Sequence, residues 1–438
     1  MLLDRTILTK SQRWCIPVRR WRLMTSWTRS KSDSNEVTEQ QRAFLKEYKI
    51  RSSLEGLIMH YSQRKMTQMS IAGLYEQSEK LTSNFILQNA NATIDKLLVY
   101  NARRLKEFRK LPYLVVLNPS ISETYNQYLM TMSLLLEASI NPPLTLEANG
   151  DFCDLILQKF IDIHADTLPV LSKGFEEVSI HLPQGVIKSF LDVHLRERIH
   201  MRLIAHQHME LSKTLQQGGA NYVKGGKYNG VIKLLNIKDV IKKNAELVND
   251  ICFLKYDQTV ALTIDTNLYP PTFWSKKDPS LTPILNEENI MFPYIEYHLD
   301  YILMELFKNS FRAHIENGVQ SPVQATISIS NNPMYLEMRI RDRGKGISPK
   351  VLNHIFDYSY TTFETNEGEA YKTLNSPPGD GANVVAGMGY GLPLLKAYIE
   401  LFNDTLPDDE GNTYSKGLLS LQTYYGLGTD VYLKTVGY

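Results

Sequence analysis

Near Asn236 the hydrophobic pattern of this 438-residue chain changes period, and the change separates two kinds of fold. Before it, apolar residues recur at 3–4 spacing through Lys80–Arg109, Ile121–Ser139, Asp151–Leu171 and Gly185–Leu211, which predicts four long amphipathic helices. Leu111-Pro112, Asn118-Pro119, Asn141-Pro142-Pro143 and Leu182-Pro183-Gln184-Gly185 supply the turns between them. Long helices with short connections make a bundle. After the change, Ile237–Tyr256 reads as helix. Alternating segments follow at Thr259–Ile264, Ala325–Ser330, Tyr335–Arg341, Leu418–Thr423 and Thr429–Val436, with helices expected at about 296–316 and 392–403. The expected architecture is α+β: a four-helix-bundle-like domain over 40–235, then an α/β sandwich over 236–438 with helices on one face of a sheet. The joint carries five glycines between Gly218 and Gly230 and reads as a boundary or surface loop. Gly226-Lys227 does not make a phosphate loop, because Tyr228 stands where Ser or Thr is required.

The formal net charge is +1, but eight basic residues and one acid fall within residues 1–31, so the rest of the chain is net acidic. A basic nucleic-acid-binding body is thereby excluded. The Arg- and Ser-rich, acid-poor stretch over about 1–35, interleaved with Leu, Ile, Val and Trp, is what a mitochondrial presequence requires. Arg19, Arg20 and Arg22 break the apolar run that a secretory signal would need. Cys15, Cys153 and Cys252 form no CxxC pair, which points to a reducing compartment. No stretch is long and apolar enough to read as a membrane span.

The chemistry gathers in the second half. On the helix at 296–316, Leu299, Ile302, Leu303, Leu306, Ser310 and Ala313 follow the core spacing. Glu305, Lys308, Asn309 and Arg312 form one polar stripe. A solvated face laced with salt bridges gives the same pattern, but such a line also sets a base and a cation beside an amide oxygen that can hold a metal. In Leu336-Glu337-Met338-Arg339-Ile340-Arg341-Asp342 the inward parity ends on Asp342, a carboxylate that needs a donor such as an adenine amino group, though a type I turn with an Asp cap gives the same pattern. Gly344 and Gly346 follow and let the backbone pass close to a planar ligand. Gly387-Met388-Gly389-Tyr390-Gly391-Leu392-Pro393 opens a helix and exposes amides suited to phosphate. Its spacing is GxGxG, not the GxGxxG of dinucleotide-binding folds. Finally Gly426-Leu427-Gly428-Thr429-Asp430 turns into the last strand with the Thr429 hydroxyl facing inward.

In this order the four segments resemble the boxes of the GHKL (Bergerat) ATP-binding fold shared by histidine kinases, gyrase, a heat-shock chaperone family and MutL. Glu305-Leu306-Phe307-Lys308-Asn309-Ser310-Phe311-Arg312-Ala313, the GMGYGLP segment and Gly428-Thr429-Asp430 resemble more closely the mitochondrial 2-oxo acid dehydrogenase kinases. So do Arg109-Lys110-Leu111-Pro112, Asn118-Pro119-Ser120 and Arg202-Leu203-Ile204-Ala205-His206-Gln207-His208. The resemblance implies a matrix protein serine kinase that uses ATP and Mg²⁺ to phosphorylate and inactivate the thiamine-dependent decarboxylase of the pyruvate or the branched-chain complex. It implies Glu305 as the base, Asn309 as the metal ligand, and Lys308 and Arg312 near the phosphates. It places Asp342 on adenine with Gly344 and Gly346 beside it. Residues 305–312 (Glu305, Leu306, Phe307, Lys308, Asn309, Ser310, Phe311, Arg312), Thr361, Thr362, the run Gly387, Met388, Gly389, Tyr390, Gly391 and Leu392, and Thr429 would line the nucleotide. His208 matches a histidine that orients the catalytic Glu. The helical half would dock on the lipoyl domain of the acyltransferase core, and the chain would form a homodimer.

Several features depart from the family pattern. Lys345 replaces a small residue, and residues 404–416 form a polar insertion. The Glu-, Gly- and Pro-rich segment Phe363–Ala386 is the expected lid over ATP. The chain stops at Tyr438 without the Asp-Trp tail that pyruvate-type members use in dimer contacts. The wording around Glu305 favours the pyruvate enzyme as substrate, whereas Phe356-Asp357-Tyr358 and the short tail read like the branched-chain kinase. A conformational ATPase of the chaperone or MutL kind is the alternative of a different class, but it needs a transducer domain after the ATP site. A two-component kinase needs His-Glu or His-Asp, and His208 is followed by Met209. Nor do His194, His200, His206 and His208 make a metal site, since about 100° per residue scatters them around one helix.

Overall fold

Asn101 and Tyr128 show how the helical half is tied: the Asn101 amide donates to the Tyr128 carbonyl at 2.9 Å, and both side chains are buried. The computed structural model describes residues 34–66, 68–165, 167–218, 223–266, 290–331, 333–358, 391–406 and 415–437. It divides into two units, Met1–Leu57 and Ile58–Tyr438. In the first unit the described residues belong to α1 (Ser34–Gln63), with Phe44, Leu45 and Tyr48 exposed. The presequence expected over 1–35 lies almost wholly outside the described residues.

The second unit takes in the end of α1 and continues with α2 (Ile71–Glu79), capped by Ser70, and α3 (Ser83–Arg109), capped by Thr82. A short α4 (Tyr113–Val116) precedes α5 (Pro119–Ile140), which the Asn118 side chain caps through the N–H groups of Ser120 and Ile121. Each cap satisfies N–H groups that the first helical turn leaves unpaired.

The helix expected over Asp151–Leu171 is instead broken. The chain runs through α6 (Leu146–Asp151), a π-turn at Phe152–Leu157, α7 (Gln158–Ile163) and, after a gap, α8 (Thr167–Glu177). After Ile163 the Ala165 N–H turns to the Asp162 carbonyl at 3.1 Å, and Pro169 has no N–H to give to the Ala165 carbonyl. His164 turns into the core there and meets the Thr131 hydroxyl at 2.8 Å. The long α9 (Gln184–Gln217) closes the helical layer and ends on Gly218 at φ 48. Arg104 of α3 and Glu197 of α9, both buried, form an ion pair across it.

The glycine-rich joint is docked where it is described. Asn229 is buried and bonds the Val223 carbonyl at 2.7 Å, and the Val231 N–H donates to Gln207 of α9 at 2.9 Å. A two-stranded antiparallel ribbon that sequence pattern did not reveal follows: β1 (Ile232–Asn236) leads directly into α10 (Ile237–Tyr256). After β2 (Leu262–Thr266) its partner strand β3 (Met291–Ile295) leads directly into α11 (Glu296–Glu316). Pro293 sits inside β3, a residue that argues against a strand when only sequence is read. The ribbon fixes where both helices start.

The remaining strands are β4 (Val323–Asn331), β5 (Met334–Arg341), β6 (Leu418–Tyr424) and β7 (Gly428–Lys434). Between β5 and β6 lie α12 (Pro349–Leu352) and α13 (Gly391–Ile399). The sheet order is β2-β4-β5-β7-β6, with β2 parallel to β4 and the other pairs antiparallel. Register aligns Ile327 with Met338 with Leu433, and Ala325 with Ile340 with Val431, so one face is continuously apolar. Leu336, Met338 and Ile340 are buried, each contributing about 1.5–3 kcal/mol of transfer free energy. No described helix is long and apolar enough to cross a membrane.

Two glycines after β5 are required by the protein's own packing. A Cβ on Gly344 would lie 2.7 Å from the Ala313 Cβ of α11, and one on Gly346 would lie 2.3 Å from the Tyr424 carbonyl oxygen. They permit the loop to seat against its own protein. Gly346 also has φ +70, which costs an L-residue about 1–2 kcal/mol. Gly346→Ala is therefore expected to destabilise the protein by about 2–4 kcal/mol. Thermal unfolding reads this as a midpoint lower by several degrees, and an unchanged midpoint would contradict the packing described.

Candidate active site

Helix α11 presents the predicted stripe. Glu305 is only 8% exposed, and its carboxylate pairs with the Lys308 ammonium one turn on. Asn309 is exposed on the same side. Arg312 reaches away from Glu305 to Glu316, Nε to Oε1 at 2.5 Å. Leu306, Phe307, Ser310 and Phe311, counted with the nucleotide-lining residues in the sequence reading, are buried in the core, the two phenyl rings 5.4 Å apart. They support the stripe from beneath and do not line it. Ala313, expected in the core, is half-buried because it meets Gly344.

The N-terminus of α13 abuts the stripe at its upper end. A Cβ on Gly391 would stand 2.5 Å from Glu305 Oε2, so this backbone runs directly against the carboxylate. Leu392 follows, half-buried, and Pro393 fits the first turn. A helix N-terminus offers unpaired N–H groups and a favourable dipole to a phosphate. Gly387, Met388, Gly389, Tyr390, Thr361 and Thr362 lie outside the described residues, as do the expected lid Phe363–Ala386 and the centre of the polar insertion.

Asp342 occupies the other end. It is 7% exposed, as its parity with Leu336, Met338 and Ile340 requires. Its Oδ1 accepts the N–H groups of Gly344 at 2.9 Å and Thr429 at 3.2 Å. Among the described residues Oδ2 accepts no hydrogen bond. Burial pushes this carboxyl above the usual carboxylate range; the two N–H donors pull it back in part, and neighbouring Asp430 adds to the rise. Thr429 is buried, and its hydroxyl lies 3.1 Å from that of Thr423. Asp430 itself faces the opposite side of the sheet, held by Arg339 and Arg341.

Thr423 and His314 belong to the site's framework and were not found from sequence. Thr423 Oγ1 accepts the Ile347 N–H at 2.8 Å, which closes the loop after Asp342 onto β6. His314 Nε2 accepts the Arg343 N–H at 2.8 Å, which fixes the same loop to the end of α11. Lys345 turns to the β6–β7 hairpin, its ammonium 5.3 Å from the Tyr425 ring centre. From Glu305 to Ala313, where the loop docks, α11 rises about 12 Å. A carboxylate with its cation and a helix N-terminus thus stand at one end, and a buried acceptor stands at the other.

His208 is not part of this arrangement. Its Nδ1 accepts from Asn89 Nδ2 at 3.0 Å and its Nε2–H donates to Asn149 Oδ1 at 2.9 Å, which settles the tautomer. Phe152 packs on the ring, and burial holds the imidazole down at about 4. Both nitrogens are satisfied inside the helical layer, so the expectation that His208 orients Glu305 is not met by this geometry.

Comparison with known proteins adds to the geometry. The family described as "Mitochondrial branched-chain alpha-ketoacid dehydrogenase kinase" matches residues 68–233, and "Histidine kinase-, DNA gyrase B-, and HSP90-like ATPase" matches residues 295–432. The chain is 31% identical over 431 residues to the Saccharomyces cerevisiae protein named "[Pyruvate dehydrogenase (acetyl-transferring)] kinase 1, mitochondrial", covering 95% of this chain and 97% of that one. It is 25% identical over 382 residues to isozyme 1 of the same kinase in Homo sapiens, covering 85% and 77% of the two chains. Against isozyme 4 of Mus musculus the identity is 26% over 352 residues, covering 78% and 75%.

Proposed function

Because the chain belongs to the mitochondrial 2-oxo acid dehydrogenase kinases of the GHKL superfamily, we propose that it is a mitochondrial protein serine kinase that phosphorylates the decarboxylase of the pyruvate dehydrogenase complex and thereby inactivates it. The observation that carries the reading is the Glu305 carboxylate, nearly buried between the Lys308 ammonium and the α13 N-terminus at Gly391, with Asp342 at the far end of the same helix.

The residues present fit a magnesium nucleotide. Asp342 Oδ2, an acceptor without a hydrogen bond among the described residues, is suited to an adenine amino group, and the exposed Asn309 carbonyl is a hard oxygen suited to Mg²⁺. ATP-Mg²⁺, when bound, supplies the transferable phosphoryl group and neutralises part of its charge. Glu305 takes the proton of the substrate serine hydroxyl as that oxygen attacks, a task a single carboxylate can perform. Lys308 offers its charge to the transferring phosphoryl group, and the N–H groups at the start of α13 bind phosphate oxygens. Gly344 and Gly346 seat the loop that follows Asp342, and Arg312 sits at the rim.

The proposal extends to organisation. Residues 1–35 direct the chain to the mitochondrial matrix, 40–235 form a docking and regulatory helical domain, and 236–438 form the ATP-binding domain. The helical domain docks on the lipoyl domain of the acyltransferase core, and the working form is a homodimer. Family membership supports these statements.

Incubation of the purified chain with labelled ATP-Mg²⁺ and either decarboxylase tests the reading, with Asn309→Ala as control. Label is expected on the pyruvate enzyme and absent with Asn309→Ala. The family description matching 68–233 favours the branched-chain enzyme as second reading, and label on that enzyme alone would promote it. ATP hydrolysis with label on neither would leave a conformational ATPase.

A further inference from the structure

A buried hydroxyl stands one turn before the candidate base. Tyr301 and Glu305 are four residues apart on α11 and therefore share a helix face. The Tyr301 ring packs on Tyr398 of α13 with centroids 5.1 Å apart, and the residue is 8% exposed. Its Oη has no hydrogen-bond partner among the described residues. A buried hydroxyl left unpaired costs about 1–3 kcal/mol, which phenylalanine would avoid at nearly the same volume. Native proteins rarely retain such a group without use for it.

The charged and titratable groups around it are few. Tyr398 packs against it from α13, Glu305 stands four residues further along its own helix, and the charges that act on it are those of Glu305, Tyr398 and Arg198 of α9. Lys308 engages Glu305 from the next turn. His298 lies on the same Tyr398 ring, centroids 4.6 Å apart, and its ring nitrogens are also unpaired, but it stands two turns from Glu305. Burial, and then the Glu305 charge, hold the Tyr301 phenol protonated far above neutrality. It is a permanent donor, and Glu305 is the one carboxylate among the groups named.

We propose that Tyr301 is a positioning residue for phosphoryl transfer: its Oη–H donates to the Glu305 carboxylate when Lys308 turns from that carboxylate to the transferring phosphoryl group. This rests on Glu305 as the base. The serine Oγ forms the new bond to phosphorus, the bond to the ADP oxygen breaks, and the serine proton passes to Glu305. Tyr301 keeps its own proton throughout and fixes the orientation of the acceptor.

Tyr301→Phe in the full chain tests this, with the decarboxylase and ATP-Mg²⁺ as substrates. The expected result is a kcat about tenfold lower, the loss of one hydrogen bond to a charged group. KM for ATP and ADP affinity by calorimetry stay unchanged, and the thermal midpoint does not fall. The acidic limb of the kcat profile, which reports the complex with substrates bound, moves up by about one pH unit, because a lost donor disfavours the ionised acceptor. Placing 3-fluorotyrosine at 301, a stronger donor of nearly the same shape, moves that limb the other way. Wild-type kcat and pH profile in a folded Tyr301→Phe would overturn the proposal. Retained transfer in Glu305→Gln would instead overturn the base on which it rests.

Discussion

Glu305→Gln is expected to lower phosphoryl transfer by about 10²- to 10⁴-fold while ATP affinity stays within about twofold. Glutamine has nearly the volume and shape of glutamate, so the close approach of Gly391, where a Cβ would stand 2.5 Å from Oε2, survives the change. What goes is the proton acceptor and the charge that pairs with Lys308. Released from that pair, Lys308 remains free to meet phosphate, so nucleotide binding is not the step that suffers. Single-turnover transfer from labelled ATP to the decarboxylase, run beside ADP calorimetry, separates the two. Transfer within tenfold of wild type would remove Glu305 as the base. A parallel collapse of nucleotide affinity would move its role to binding.

Much of this arrangement could be read from residue spacing, and its limits have physical causes. The stripe on α11 and the inward parity of Asp342 are periodic features, set by the 3.6 and 2.0 periods of helix and strand. They reappear where expected, as do α10 and the five strands to within a few residues. The β1–β3 ribbon was hidden because Pro293 contradicts strand propensity and because pairing between residues so far apart leaves no local signature. The end of the helix at Ile163 has no local signal because Pro169 acts four residues upstream of itself. Gly344 and Gly346 were recognised as places of close approach, but only the fold shows that the approach is to Ala313 and Tyr424. Sequence likewise gave no reason to prefer one buried polar residue over another. His208 carries a motif but finds both its partners in the helical layer, whereas Tyr301 carries no motif and stands one turn from Glu305 with its hydroxyl unpaired.

At the other end of the site, Asp342→Asn is expected to weaken ATP binding about 100-fold without unfolding the protein. Asparagine retains an Oδ1 that can accept from Gly344 and Thr429, so the loop keeps its two anchors. The second position changes from acceptor to donor and meets the adenine amino group donor to donor. The loss of a hydrogen bond to a charged acceptor, together with an unpaired buried N–H, is worth about 3 kcal/mol, or about two orders of magnitude in Kd. The same change should improve the relative affinity for inosine triphosphate, whose purine carries a carbonyl where adenine carries the amine, and this reversal identifies the contact. Stability moves the opposite way from binding. Because burial raises the Asp342 carboxyl, folding favours its protonated form. Its contribution to stability is therefore greatest below the unfolded pKa and declines as pH rises through the folded one. Asparagine has no such titration, so at neutral pH the variant should melt no lower than wild type. Calorimetric titration with ATP and with inosine triphosphate, together with thermal unfolding at two pH values, checks all three statements. An unchanged preference for ATP would show that the base is read elsewhere.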